Sequence, residues 1–315
     1  MLSLDPVVGF FALGLAAGLL RSDLKLSSGL LDTLSLYLLV AIGLKGGFEL
    51  SALATPGTVL LSIAFAVLMS IGTPLLAYPV LRLLGKLQRS DAASIAAHYG
   101  SVSVVTFAAC TTYLTSRGIT YEGYLAVLLV FLEFPALIIG VLLAKGVNRD
   151  TAWSQLAHEV FAGKAIVLLV GSLAIGWLWG KEAASALNLF YGDLFKGFLT
   201  LFMLGMGVLT ASRIADVRRA GAFLIGFGIA VPVISAVGGV LIGWWLGLSV
   251  GGATIVATLY ASASYIAAPA AMRIAIPDAN PALSMGASLG VTFPFNLILG
   301  IPLYHAMVNT LYGTG

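Results

Sequence analysis

The chain has little charge, since Asp, Glu, Lys and Arg together make up only 9% of its 315 residues. A soluble domain carries roughly 25% of these residues, so the composition excludes an ordinary soluble protein. Hydrophobic residues make up 60% of the chain, which is typical of a protein that crosses a membrane several times. The net charge of +3 comes from residues in short loops between apolar segments. We therefore expect a lipid bilayer, and no nucleic acid, as the partner of this chain.

Cysteine and metal-ligand patterns are also nearly absent. Cys110 is the single cysteine, so no disulfide can form within the chain. Neither the spacing of a metal site nor a nucleophile next to a base can be found in the sequence. We predict a protein that is not an enzyme and needs no cofactor.

Ten apolar segments have about the length that a bilayer requires. They cover residues 6–20, 28–48, 57–84, 91–113, 121–145, 162–180, 190–211, 220–247, 249–273 and 281–309. The fold class that we predict is an all-α membrane protein with ten transmembrane helices. Most of the 16 Lys and Arg residues follow spans one, three, five, seven and nine, and loops rich in these residues stay in the cytoplasm. Both termini are then periplasmic or extracellular.

Two short segments of the sequence resemble each other. Residues 98–109 read HYGSVSVVTFAA, and residues 259–270, which lie 161 positions further on, read LYASASYIAAPA. Each is a patch of small and hydroxylated residues inside an apolar span. Paired interruptions of this kind mark the binding sites of many transporters. We predict that helices four and nine are broken at these segments.

The resemblance extends to other parts of the chain in the same order. Phe134-Pro135 in span five corresponds to Phe293-Pro294 in span ten. Five is an odd number, so a repeat of five spans re-enters the membrane in the opposite direction. The sequence therefore predicts two inverted five-helix repeats, at 1–145 and 161–315, whose broken helices cross at mid-membrane. A cytoplasmic connector at 146–160 would join them. The alternative is that the small residues only allow close helix packing.

A broken helix exposes N–H groups at one end and carbonyl groups at the other. The N–H groups suit an anion, and the carbonyl groups with nearby hydroxyls suit a small hard cation such as sodium. The residues that we predict to bind the anion are Gly100, Ser101, Ser103, Ala261, Ser262 and Ser264. The residues that we predict to bind sodium are Ser103, Thr106, Glu133, Ser264 and Asn296.

Some of these assignments have alternatives. Glu133 lies well inside span five, where a carboxylate could hold sodium, carry a proton or form a helix-packing hydrogen bond. The amide of Asn296 could equally join two helices. Neither break contains Lys or Arg, which a large polyanion would require. This favours bicarbonate, nitrate, formate or a short carboxylate as the substrate.

The runs YGSVSVVTFAA and YASASYIAAPAAMR, together with the ten spans, resemble the SbtA family of sodium-dependent bicarbonate transporters. The resemblance implies a sodium–bicarbonate symporter in the bacterial inner membrane, with an elevator-like mechanism and a trimeric assembly. It also implies that Ser101, Ser103, Ser262 and Ser264 are among the ligands. The alternatives that the residues leave open are a transporter of another small anion, such as a monocarboxylate, and a passive anion channel.

The chain departs from that family in one region. Cyanobacterial members have a longer cytoplasmic segment between the halves and are regulated by a trimeric signalling protein of the PII type. The connector here, at 146–160, is short. The resemblance implies a PII-type partner, and the short connector argues against it.

Overall fold

A computed structural model describes residues 5–24, 26–52, 56–146, 154, 157–158 and 161–313. The described residues form helices joined by short connections, with no strand among them, in agreement with the predicted all-α fold. Most of the predicted connector at 146–160 lies outside the described residues.

Helices α1 to α12 form the part of the chain on which the site depends. Their bounds are α1 Pro6–Leu19, α2 Ser28–Ser51, α3 Pro56–Leu83, α4 Arg89–Gly100, α5 Val104–Thr115, α6 Leu128–Lys145, α7 Lys164–Asn188, α8 Phe195–Ser212, α9 Ile214–Trp245, α10 Val250–Tyr260, α11 Ala267–Ala275 and α12 Pro281–Tyr312. A 3₁₀ turn, Gly123–Val127, precedes α6. Helix α12 contains π-helical turns at Gly286–Thr292 and Asn296–Gly300.

Polar caps and prolines fix where several helices begin. The side chains of Asp5 and Asn280 each accept a hydrogen bond from the backbone N–H of the second residue of the following helix, at 2.9 and 3.0 Å. Pro6 and Pro281 follow directly, at the position where a missing N–H costs nothing. Helix α7 bends where Gly180 adopts a φ of 53°, a conformation that favours glycine.

Seven of the helical segments that the structure describes are long and apolar enough to cross a membrane. Three shorter apolar helices, Pro6–Leu19, Lys164–Gly180 and Val250–Tyr260, fall within the other three predicted spans. The helix in the ninth predicted span is short because it ends at Tyr260. The count of ten membrane crossings stays a prediction.

The helices pack as two groups. Helices α1, α2, α7 and α8, which we call the scaffold, pack most extensively as the pairs α2–α7 and α1–α8. Glycines allow these close approaches, because a Cβ atom at Gly47 of α2 would overlap the carbonyl of Leu173, and one at Gly207 of α8 would overlap that of Phe11. Such contacts of small residues stabilise helix pairs in membranes.

The remaining helices, α3–α6 and α9–α12, form the second group, which we call the core. Within it α3, α4 and α6 pack on one another, as do α9, α10 and α12. In the span Arg89–Thr115, 94% of the most apolar 18 residues are buried. The fold therefore places the two predicted breaks at the centre of the protein.

Candidate ion and anion site at the two helix breaks

The first break separates α4 from α5. Ser101 has φ −93° and ψ −177°, and Ser103 has φ −107° and ψ 112°, so the chain is extended between the two helices. The Ser103 hydroxyl caps α5 by accepting a hydrogen bond from the backbone N–H of Thr106 at 3.1 Å. The serines are buried. The helix is thus interrupted at the first of the two echoing segments.

The second break separates α10 from α11. The chain leaves the helix after Tyr260 and resumes it at Ala267. Ser262 Oγ donates to the carbonyl of Leu259 at 2.8 Å, and Ser264 Oγ accepts from the N–H of Ala268 at 3.1 Å. Hydroxyls therefore satisfy backbone groups that the missing helical turn leaves free.

The two breaks contact each other directly. The Ser103 N–H donates to Ser262 Oγ at 3.1 Å, and the Ser264 N–H donates to the carbonyl of His98 at 2.8 Å. The Ser103 hydroxyl also donates to the hydroxyl of Tyr265 at 3.0 Å. Segments some 160 residues apart in sequence are thus joined by hydrogen bonds, in a buried setting where an unpaired polar group is costly.

A cavity of about 20 Å³ lies where the breaks face the scaffold. This volume suffices for one water molecule or a small ion. The polar residues that line it are Ser35, Ser103, Glu133, Ser264 and Tyr265. The first residues of α5 and α11 line it as well, so the positive ends of two helix dipoles meet at this cavity.

Glu133 is the charged residue of this cavity. It is only 4% exposed, and it forms neither an ion pair nor a hydrogen bond with another residue that the structure describes. It also lines an adjoining cavity of about 200 Å³ that extends to Lys164. The Lys164 ammonium is engaged by Asp32 at 2.7 Å. A buried carboxyl group in this position is stabilised either by a bound cation or by a proton of its own.

Two residues predicted to bind ligands have clear packing roles. A Cβ atom at Gly100 would overlap the ring of Pro74 and contact Ala136, so glycine is required here for the close approach of α4 to α3 and α6. Asn296 donates from Nδ2 to the carbonyl of Ala261 at 2.7 Å. Its Oδ1 accepts from the hydroxyl of Tyr304 at 2.6 Å.

Other predicted residues lie around the cavity without lining it. Thr106 donates its backbone N–H to Ser103, and Ser262 receives the N–H of Ser103. The hydroxyl of Ser101 is buried, and it has no hydrogen-bond partner among the residues that the structure describes. The structure therefore brings Ser103, Glu133 and Ser264 to one cavity, and the other predicted residues do not line it.

Sequence reasoning missed two lining residues. Tyr265 directly follows Ser264 in the quoted segment, and an intramembrane hydroxyl next to a predicted ligand was a usable signal. Ser35 lies in α2 and reaches the cavity only through the packing of the scaffold on the core. No local pattern in the sequence distinguishes it from other serines of apolar helices.

The arrangement suits alkali cations and small anions. Hydroxyls and a carboxylate provide the oxygen ligands that hard cations prefer. No group of three or more His, Cys, Asp or Glu residues is placed to hold a metal ion within the described part of the chain. The helix N-termini offer N–H groups to an anion without any Lys or Arg.

Two interrupted helices that meet at a cavity lined by hydroxyl and carboxyl oxygens are typical of membrane transport proteins. The sequence matches the family model of the Na+-dependent bicarbonate transporter superfamily over residues 6–309, and the chain belongs to that superfamily. This confirms the resemblance drawn from the two serine segments, and it identifies a transport protein rather than an enzyme. No curated protein matches the chain.

Proposed function

We propose that the protein is a symporter that imports bicarbonate together with sodium, by an elevator-like alternating-access mechanism. The observation that carries the proposal is the cavity where Ser103 and Ser264 from the two helix breaks meet Glu133. The family supplies the substrate class, a Na+-dependent transporter of bicarbonate. The small cavity has room for a sodium ion, and the adjoining cavity of about 200 Å³, which shares Glu133 and the first residue of α11 with it, has room for the anion.

The anion is held by backbone and hydroxyl groups. The N-termini of α5 and α11 both line the small cavity, and that of α11 also lines the adjoining larger one. Each N-terminus carries partial positive charge. Gly100, Ser101, Ala261 and Ser262 belong to the surrounding shell of the proposed anion site. Its lack of Lys and Arg favours a small, singly charged oxyanion, because a more highly charged one requires a cationic clamp.

Sodium provides the positive partner of Glu133. The Ser103 and Ser264 hydroxyls line the same cavity, and together with the carboxylate they form a set of oxygen ligands. Thr106 and Asn296 support this site through Ser103 and Ala261. Binding of sodium next to the helix N-termini raises the local positive charge, so that each ion increases the affinity for the other.

The packing supports two inverted repeats that form a scaffold and a moving core. A twofold relation between spans one to five and six to ten would convert the pair α2–α7 into the pair α8–α1. These are the two most extensive helix contacts of the scaffold. It would likewise relate the triad α3, α4 and α6 to α9, α10 and α12. The repeats would correspond to residues 1–145 and 161–315, with the cytoplasmic connector between them.

The family resemblance is the basis for proposing a homotrimer in the bacterial inner membrane. The Lys and Arg distribution favours both termini on the periplasmic or extracellular side. The short connector argues against a PII-type regulator.

Uptake of labelled bicarbonate into proteoliposomes tests the proposal. We expect accumulation with an inward sodium gradient and none in potassium buffer. Glu133→Gln should remove the sodium dependence, because the amide carries no charge for the cation. Ser288→Ala is the matched control: this buried serine donates only to the carbonyl of Ser284 and does not line the cavity.

The same assay distinguishes the alternative functions. Equal uptake in sodium and potassium would contradict sodium coupling. Anion movement that only follows the membrane potential, without accumulation against it, would identify a passive channel. Stronger competition by acetate or pyruvate than by unlabelled bicarbonate would identify a monocarboxylate transporter of the same architecture.

A further inference from the structure

A second cavity, of about 380 Å³, lies between scaffold and core at the C-terminal end of α5. The scaffold contributes Lys45 of α2 and Lys196 of α8, and the core contributes Thr112 and Tyr121. The cavity shares no lining residue with the two cavities at Glu133. It is therefore a separate site on the same scaffold–core interface.

A layer of apolar side chains separates this cavity from the helix breaks. Ile42 lines the large cavity, whereas Leu38 and Leu39, one turn earlier on α2, line the small one. On α5, Phe107 faces the large cavity and Val105 the small one. The route from the large cavity to Ser103 is thus closed in this structure.

The charge of the large cavity is positive. Lys196 is paired with Asp5 at 3.3 Å, but Lys45 forms no ion pair with any residue that the structure describes. The Lys45 ammonium instead donates to the Tyr121 hydroxyl at 2.6 Å. Because the Tyr121 oxygen accepts from Lys45, its own proton is free to be donated to a ligand.

A hydroxyl group without a hydrogen-bond partner among the described residues also lies at this cavity. Thr112 lines the cavity, is only 7% exposed and has no hydrogen-bond partner for its hydroxyl among the described residues. The neighbouring hydroxyls of Thr111, Thr115 and Ser116 all donate to backbone carbonyls. Thr112 therefore differs from its neighbours in offering its proton to whatever enters the cavity.

We infer that this cavity binds a small monovalent oxyanion through Lys45, Tyr121 and Thr112, and that it is a vestibule in which the transported anion collects before reaching the helix breaks. The identity of the anion as bicarbonate rests on the proposed function, whereas the existence of the site does not. A cation in a cleft with apolar walls raises the local concentration of anions. The apolar lining and single unpaired ammonium favour one negative charge over two.

Charge-selective labelling of a cysteine tests the site without any transport. The variant is Thr115→Cys at the exposed edge of the cavity, in a Cys110→Ala background. We expect a negatively charged methanethiosulfonate to react faster than a positively charged one. The ratio of the two rates should fall by about tenfold when Lys45→Met is added, and Lys45→Arg should preserve it.

Two controls separate a local effect from a general one, and a third variant tests the Thr112 hydroxyl. Ser185→Cys, an exposed position of α7 that does not line the cavity, should show no dependence on Lys45. Lys145→Met removes a charge at the far end of α6 and should leave the ratio at the Thr115→Cys thiol unchanged. Thr112→Val keeps the shape of the side chain and removes only its hydroxyl.

Protection by anions completes the test. Bicarbonate or nitrate should slow labelling of the Thr115→Cys thiol, and Thr112→Val should weaken this protection severalfold. Protection should persist in Glu133→Gln and without sodium, so a failure of the proposed symport leaves this result intact. The proposed vestibule would be contradicted if Lys45→Met left the rate ratio unchanged, or if no oxyanion slowed labelling of the Thr115→Cys thiol.

Discussion

At the residue scale, the serines of the two breaks have different tasks. Ser103 and Ser264 line the small cavity and also accept from the N–H groups that begin α5 and α11. Ser262 does not line the cavity, but it joins the two breaks by accepting from the Ser103 N–H. Replacing these residues should therefore have distinct effects on transport and on stability.

Ser262→Ala should mainly affect stability. It leaves the buried N–H of Ser103 without a partner, which costs about 1–3 kcal/mol. We expect Ser262→Ala to lower the midpoint of thermal unfolding in detergent. Ser288→Ala should change the midpoint little, because it leaves no N–H without a partner in the described structure. Equal midpoints for the two variants would show that the contact between the breaks does not stabilise the protein.

The residues that sequence reasoning found are those with a local signal. Ser103 and Ser264 stand in segments that repeat, and Glu133 is an ionisable group inside an apolar span. Gly100 is a predicted anion ligand, but in the structure a glycine is needed there because a Cβ atom would overlap the ring of Pro74. This requirement depends on how closely α3 packs on α4, and no sequence pattern near Gly100 predicts that contact.

At the element scale, the second break explains why the ninth predicted span contains no single helix long enough to cross a membrane. The predicted span 249–273 becomes α10, with 11 residues, and α11, with 9 residues. Neither is long enough to cross a bilayer alone, although together with the extended segment they cover the predicted length. The small polar residues predicted the interruption, whereas the exact helix ends depend on caps such as Ser249 and on hydrogen bonds between breaks.

The α2–α7 pair depends on glycines at the contact. A Cβ atom at Gly176 of α7 would overlap the carbonyl of Leu44, whereas one at Gly171 of the same helix would meet open space. Gly176→Ala should therefore destabilise the protein by about 1–3 kcal/mol. Gly171→Ala is the matched control and should be neutral or slightly stabilising. Unfolding midpoints in detergent measure both, and equal losses would mean that the helices tolerate a wider separation.

At the scale of the whole molecule, the positions of the cavities connect the fold to transport. The large cavity at Lys45 and the cavities at Glu133 lie at different places along one scaffold–core interface, with Leu38, Ile42 and Phe107 between them. The small cavity adjoins the one that reaches Lys164. If the core slides along the scaffold, the breaks can pass this apolar layer and face the large cavity.

The sequence could predict this organisation only in part. The inverted order of the halves follows from the odd number of predicted spans, but the division into scaffold and core depends on which helices pair. That pairing is decided by glycine contacts between α2 and α7 and between α1 and α8. The positions of those glycines become meaningful only once the facing helix is known.

Covalent bridging of scaffold and core tests the sliding motion. Ala165 of α7 and Ala267 of α11 line both cavities at Glu133 from opposite sides. In a Cys110→Ala background, Ala165→Cys with Ala267→Cys can be joined by a short bifunctional methanethiosulfonate, which forms a disulfide with each thiol and releases sulfinate. This bridge should abolish bicarbonate uptake until a reductant cleaves the disulfides. Uptake should stop because the core can no longer move relative to the scaffold.

A bridge within the scaffold provides the control for this experiment. Asp32 and Lys164 form an ion pair at 2.7 Å between α2 and α7, so Asp32→Cys with Lys164→Cys can be joined by the same reagent. Because both residues belong to the scaffold, their separation does not change when the core moves, and this bridge should leave uptake largely intact. Uptake that persists with the bridge between Ala165→Cys and Ala267→Cys would require a pathway through a fixed scaffold–core interface. That result would contradict the elevator mechanism and would not bear on sodium coupling.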